Sequence, residues 1–223
     1  MCLYAGKLGG WPLLMFAILP VLWLSSVGAV ERPAESTSRL IEPGIRVGPV
    51  RPNTREVDLV RLLGRKNVRR DIWTGPEGDK QPATVLFPGT DSEAWVFWKN
   101  DAYKIPADVL IPRRGRSWRT AEGIHIGATL DTLVSLNGKH FRISGFFWDY
   151  GGTVRSWEGG QLDRFDPKLT VRLYPTADLA TLPDSDIDAI SGESAIVFSD
   201  TPALQRMNIT VVELIVYLED RWR

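Results

Sequence analysis

Two stretches of this chain follow one plan, and that plan restricts the folds open to it. The first, "GIRVGPVRPNTREVDLVRLLGRKNV", starts at Gly44, and the second, "GIHIGATLDTLVSLNGKHF", starts at Gly123. Each opens Gly-Ile-x-(Val/Ile)-Gly, continues in a helical pattern, and closes on Leu-x-Gly with a basic residue after it. Leu59, Val60, Leu62 and Gly64 align with Leu133, Val134, Leu136 and Gly138, the first copy carrying five extra residues. Two copies of one supersecondary unit is the economical reading.

The first helix is expected to start at Asn53 as N-cap, with Glu56 at capping-box spacing, and to stop at Gly64; Val57, Val60 and Leu63 recur at helical spacing between them. In the second copy Leu130, Leu133 and Val134 form the apolar stripe and Gly138 is the stop. Helices of about ten residues are marginal alone, so each must bury its stripe on a sheet. The strands for that sheet come next. After the first helix "TVLFP", "AWVFWK" and a Pro-interrupted, edge-like "YKIPADVLI" read as strands, and after the second "HFRISGFFWDY", "TVRSW" and "LTVRLY" do. Leu169, Val171 and Leu173 alternate with Thr170, Arg172 and Tyr174. A short helix capped by Asp200 and a β-branched strand, "TVVELIVYL", end the chain. The expected fold is α+β, two related helix-plus-antiparallel-sheet units with helices packed on one face of the sheet. The expected boundaries are a signal peptide over 1–29, a linker over 30–43, and units over 44–117 and 118–223.

The signal reading rests on Lys7, the apolar run "WPLLMFAILPVLWLSSV" and small residues ending at Ala29. Pro20 and the shortness of the run argue against a membrane span, so the mature form is expected to be periplasmic or secreted and not membrane-spanning; a retained anchor is the alternative. The one cysteine, Cys2, precedes the run, which excludes a lipoprotein's acylated cysteine and leaves the mature chain without disulfide or thiolate chemistry. With 27 basic and 27 acidic side chains the chain has no electrostatic footprint for nucleic acid. "GRKNVRR" is read as a solvated face at the end of a helix.

Catalytic motifs do not emerge. No G-x-S-x-G, Walker loop, G-x-G-x-x-G or H-E-x-x-H occurs, and no cofactor is expected. The two histidines, His125 and His140, align with Arg46 and Lys66 of the first copy, which favours exposed positions over catalysis. Asp149, Glu158, Asp163 and Asp166 follow one another near aromatic residues, the residue types a glycosidase uses, although solvated loop carboxylates explain them more simply. Asp184, Asp186 and Asp188 have the opening spacing of a calcium loop, but Ala189 and Ala195 stand where an EF-hand needs Gly and Glu, leaving only a weak calcium candidate.

The densest cluster is "GFFWDYGGTV", Gly145 to Val154. It reads as a hairpin whose Trp148 and Trp157 meet across strands, with Asp149, Tyr150, Gly151 and Gly152 as the turn. These rings either fill the core under the second helix or stand exposed as anchors; both readings stay open. Trp95 and Trp98, three apart in a strand, point to opposite faces, so one of them is available to an aromatic surface.

The segments "GIHIGATLDTLVSLNG", "FFWDYGGTVRSWEGGQL" and "LTVRLYP" are similar to a family of exported bacterial proteins of uncharacterised function bearing a WDYGG motif. At the level of the repeat, the Gly-x-T-x-x-x-(V/L)-x-x-L-x-G pattern resembles the outer-membrane lipoprotein SmpA/OmlA and the secreted β-lactamase inhibitor protein. The second resemblance implies a sheet that offers an aromatic-bearing face to another protein. The expectation is therefore an exported, noncatalytic protein-interaction module whose candidate binding residues are Trp148, Asp149, Tyr150, Trp157, Trp95 and Trp98. The alternatives are a carbohydrate-binding or carbohydrate-active module using the same rings with nearby carboxylates, and a structural envelope protein.

Overall fold

Both helical stretches form, each eight residues long, as α1 (Glu56–Leu63) and α2 (Leu130–Asn137) in the computed structural model, which describes residues 1–2 and 38–218. The segment read as a signal peptide lies outside the described residues except for Met1 and Cys2. In both helices the closing glycine N–H bonds a valine carbonyl one turn back, Gly64 to Val60 and Gly138 to Val134. The equivalent leucines, Leu59 and Leu133, are both buried. The starts differ. Thr129 caps α2 by accepting from the Thr132 N–H, whereas α1 begins three residues beyond Asn53 with no side-chain cap. Glu56 does not close a capping box, because its carboxylate accepts hydrogen bonds from Arg70 and the Thr84 hydroxyl instead.

Twelve strands are described. They are β1 (Leu40–Glu42), β2 (Arg46–Val47), β3 (Val68–Thr74), β4 (Lys80–Leu86), β5 (Ala94–Trp98), β6 (Pro106–Ile111), β7 (Arg119–Thr120), β8 (Arg142–Ser144), β9 (Val154–Ser156), β10 (Leu169–Tyr174), β11 (Ile196–Phe198) and β12 (Thr210–Tyr217). The main sheet has six strands in the order β10-β12-β6-β5-β4-β3, every pair antiparallel. Two smaller sheets of three strands each have the orders β2-β1-β7 and β11-β8-β9. Two further helices, α3 (Asp184–Ile190) and α4 (Pro202–Arg206), complete the α+β fold.

The six-stranded sheet decides the relation of the two halves. β3 to β6 come from the first and β10 and β12 from the second, and β12 joins them by pairing Ile215 with Leu110 and Val216 with Val109. Residues 38–218 accordingly belong to a single compact unit. Several local expectations are corrected. β6 is interior to the sheet, and Pro106 is tolerated because it stands at the strand's first position. The supposed linker contributes β1, whose Ile41 is buried against the core. "GRKNVRR" lies at a helix end as expected, with Gly64 as the C-cap of α1 and Arg65, Lys66, Arg69 and Arg70 exposed, but after a single 3-10 turn Val68 already begins β3. Asp200 does not cap α4, whose N-cap position is Thr201 with Pro202 in the first turn.

Alternation along the strands sorts their side chains onto two faces. Val96, Val109, Ile111, Val171, Leu214 and Val216 join Leu59 and Leu133 of the helices in one continuous core. The opposite face carries a separate, smaller cluster in which Ala83, Phe97 and Leu110 are buried and Trp73, Trp95 and Ile215 are half-buried. Helices cover the first face, and the second is the one left to bear a site.

Candidate functional site

The second face is overhung from one side by the loop between β8 and β9, which is the "GFFWDYGGTV" stretch. β8 and β9 pair antiparallel, as a hairpin requires, but the connection is longer than the expected turn, since β8 ends at Ser144 and β9 starts at Val154. Its fixed points face inward. Phe146 is fully buried and its N–H donates to the Ile190 carbonyl at 2.7 Å. Gly152 has φ +77°, and a Cβ there would overlap the Leu173 carbonyl oxygen, so only glycine lets the loop lie this close to β10. With those residues holding it down, the remainder of the loop projects outward.

Phe147 sits at φ +64°, in the left-handed region that bulky residues avoid, and its ring meets Tyr174 edge-on at 6.2 Å. Strain of this kind persists only where surrounding structure over-determines it, and it clusters at binding sites. The Trp148 indole N–H donates to the Gly145 carbonyl at 2.7 Å, and its ring meets that of Tyr150 edge-on at 5.6 Å. Trp148 is half-buried; Phe147, Asp149 and Tyr150 are exposed.

The opposing wall comes from the tip of the β3–β4 hairpin, where Trp73 and Pro76 face Trp148. Trp73 is held edge-on against Phe97 with ring centroids 5.3 Å apart. Between the walls runs a groove in two connected parts that share Trp73, Pro76, Trp148, Arg172 and Glu213. One part, of about 420 Å³, is floored by Leu110 and Ile215 and reaches Tyr150 and Arg155. The other, of about 680 Å³, reaches Phe147, Asp149 and Tyr174. Such volumes fall in the range of ligand-binding clefts.

Arg172 and Glu213 are register partners on β10 and β12 and lie in the floor where the parts meet. The Arg172 guanidinium donates from Nε to the Gly151 carbonyl at 3.1 Å and stands 3.7 Å from the Glu213 carboxylate. Burial pushes the Glu213 carboxyl above the usual carboxylate range, and the attraction of Arg172 offsets only part of that rise. A carboxyl perturbed by burial beside a specific charge partner in a cleft is a recognised mark of a functional site.

The structure divides the expected site residues. Trp148, Asp149 and Tyr150 belong to the groove. Trp95 lies on the same open face, its indole N–H donating to Glu93 at 3.1 Å. Trp157 and Trp98 do not belong. Trp157 is 3% exposed and packs on Phe141 at 4.8 Å, while its carbonyl accepts from Asn137 of α2, so it fills the core under that helix and never meets Trp148. Trp98 is 7% exposed, with its N–H on the Thr84 hydroxyl at 3.0 Å. The opposed orientations of Trp95 and Trp98 follow from strand parity as expected.

Among the carboxylates, Glu158 is held by Arg142 at 2.8 Å and Ser156, away from the groove, so Asp149 is the one member of its group that lines it. The calcium candidates are corrected: Asp184, Asp186 and Asp188 lie along α3, where alternate residues diverge, and Asp186 is clamped by Arg206. No cluster of three potential metal ligands occurs among the described residues. His140 is exposed, with Nδ1 3.0 Å from the buried Ser199 hydroxyl; His125 is half-buried, and burial, followed by Arg119, lowers its pKa.

Sequence reasoning missed Trp73, Leu110, Arg155, Arg172, Glu213 and Ile215. Trp73 stands in β3, of which only Val68, Arg69 and Arg70 fall within the "GRKNVRR" stretch, and its exposed, charged neighbours give no apolar alternation to mark the strand. The others come from strands distant in the chain that only the sheet order brings together. No family model matches the chain, and no curated protein or solved structure does either. Among the described residues no helix is long and apolar enough to cross a membrane.

Proposed function

We propose that the protein is an exported, noncatalytic interaction module that binds a protein partner in the envelope or outside the cell through the open face of its main sheet. The observation that carries this reading is the rigid presentation of Trp148 and Tyr150. Their loop is anchored by buried Phe146 and by Gly152, and the rings face Trp73 across a groove instead of filling the core. Large aromatic rings held in place offer contact area at little entropic cost, which is why they dominate binding hot spots. The export half of the proposal draws on the signal-like N-terminal sequence, and the two Gly-Ile units are proposed to be one supersecondary unit used twice.

The test is affinity capture of the tagged protein, produced through its own export route, from its cell envelope after brief crosslinking, beside a folded Trp148→Ala, Tyr150→Ala double variant. A protein captured by the parent and lost by the variant supports the reading. Identical capture by both, or none by either, sinks it.

A carbohydrate ligand is the second reading, favoured by one observation. Asp149 and Glu213 both line the larger part of the groove among aromatic rings, so Glu213 is available for the role that the sequence offered to Glu158. Quenching or enhancement of tryptophan fluorescence by soluble glycans, lost in Asp149→Asn, distinguishes this reading from the first.

A further inference from the structure

Resting on the open-face reading above, we infer that the groove takes an extended acidic polypeptide segment of the partner, with one apolar side chain seated on the aliphatic floor at Ile215 and carboxylates on either side of it.

The smaller part of the groove sets the apolar requirement. Ile215, half-buried and paired across β12 and β6 with the buried Leu110, gives it an aliphatic floor between Trp73 and Trp148. Aliphatic groups offer no donor or acceptor, so a sugar hydroxyl pressed on them would give up water without a replacement. An apolar side chain instead releases water from both surfaces. Extended backbone sends successive side chains to opposite sides, so one residue can descend between the walls while its neighbours point outward.

Charge at the two ends sets the acidic requirement. Beside Tyr150, Arg155 is exposed and engages no ion pair among the described residues. Beyond Tyr174 at the other end, Arg113 and Arg116 line an adjoining hollow of about 320 Å³, and Arg113 lies over the Tyr174 ring at 6.0 Å. Neither of these arginines has a carboxylate partner among the described residues. Within the groove, Arg172 and Glu213 answer each other, which leaves Asp149 as the one negative group against three uncommitted guanidinium groups. A field of that sign steers carboxylates to both ends and rejects basic segments.

The experiment is selection of a display library of random dodecapeptides on the parent protein, counter-selected on the Trp148→Ala, Tyr150→Ala variant. The strongest clones are then titrated by tryptophan fluorescence. Enriched sequences are expected to carry net negative charge around a central apolar residue. Two changes are each expected to weaken binding by about tenfold, exchange of the peptide's carboxylates for amides and the protein change Arg155→Glu with Arg116→Glu, since single exposed ion pairs are weak and each change removes several together. Added salt should weaken binding as well.

Neutral or basic consensus sequences, affinity indifferent to the arginine changes, no enrichment, or binding of oligogalacturonate where peptides fail would each overturn the inference. The envelope capture separates its failure from that of the wider reading. A partner lost with Trp148 and Tyr150 alongside a non-acidic peptide consensus defeats only the acidic-segment inference, and absence of both partner and peptides defeats the two together.

Discussion

The Trp148 indole N–H and the Gly145 carbonyl lie 2.7 Å apart, so the ring that walls the groove is tied to the start of its own loop. Phe146, one residue beyond that glycine, is fully buried in the core. Core packing and ring placement are therefore coupled through three consecutive peptide units and their side chains. A wall fixed in this way is already organised before a ligand arrives, which reduces the ordering cost of binding.

Gly152→Ala should break that coupling. A side chain there meets the Leu173 carbonyl at a backbone angle of φ +77°, so both clash and strain oppose it. We expect a loss of about 2–3 kcal/mol in urea unfolding, of the size such strained positions cost. Wild-type stability would show that the loop moves freely over β10.

Trp95 and Trp98 test the division of the sheet into two faces. Trp98 is buried in the main core and hydrogen-bonded to Thr84, so Trp98→Ala should cost about 3–5 kcal/mol. Trp95 belongs to the smaller cluster and is only half-buried, and Trp95→Ala should cost less than half of that. Equal losses would contradict the assignment of faces.

Two glutamates should respond to pH in opposite senses. Burial alone would raise the Glu56 pKa, but hydrogen bonds from Arg70 and Thr84 prevail and lower it. Its contribution to stability is thus present above the ordinary carboxylate range and is lost as pH falls through the lowered pKa. Glu56→Gln should be less stable than the parent at neutral pH, and the difference should shrink in acid.

Glu213 reverses the sign, since burial raises its pKa against the pull of Arg172. Its protonated form is the one the fold favours, so its contribution is full in acid and declines as pH rises through the raised pKa. Glu213→Gln should be the more stable protein at neutral pH and equal to the parent in acid. Chemical denaturation of both variants across pH checks the pair, and parallel profiles would show that one of the two environments is misassigned.

Asp186 and Arg206 join α3 to α4 through two parallel hydrogen bonds between guanidinium and carboxylate. Asp186→Asn should lower the thermal midpoint, whereas calcium at about 1 mM, enough to fill a weak extracellular site, should leave the parent's midpoint unchanged. A rise on adding calcium would restore Asp184, Asp186 and Asp188 as ligands.

Local regularities were legible along the chain wherever neighbouring residues decide the outcome. The α1 and α2 stripes, their glycine stops, the alternation of Leu169 to Tyr174 and the opposed rings of Trp95 and Trp98 depend on periods of 3.6 and 2, which are written in consecutive residues. Helix starts were less legible. Glu56 has capping-box spacing from Asn53, yet Arg70 and Thr84, remote in sequence, compete successfully for its carboxylate.

The sequence by itself determined the class of the fold, the positions of its two principal helices and the aromatic loop at Trp148. Only the tertiary structure decided that Trp157 is core, that Trp73 is a wall, and that Arg172 and Glu213 meet in a floor between them. The physical reason is that propensity and periodicity act over a few residues. The groove instead depends on β12 pairing between β6 and β10, a long-range choice settled by the burial of a whole sheet face.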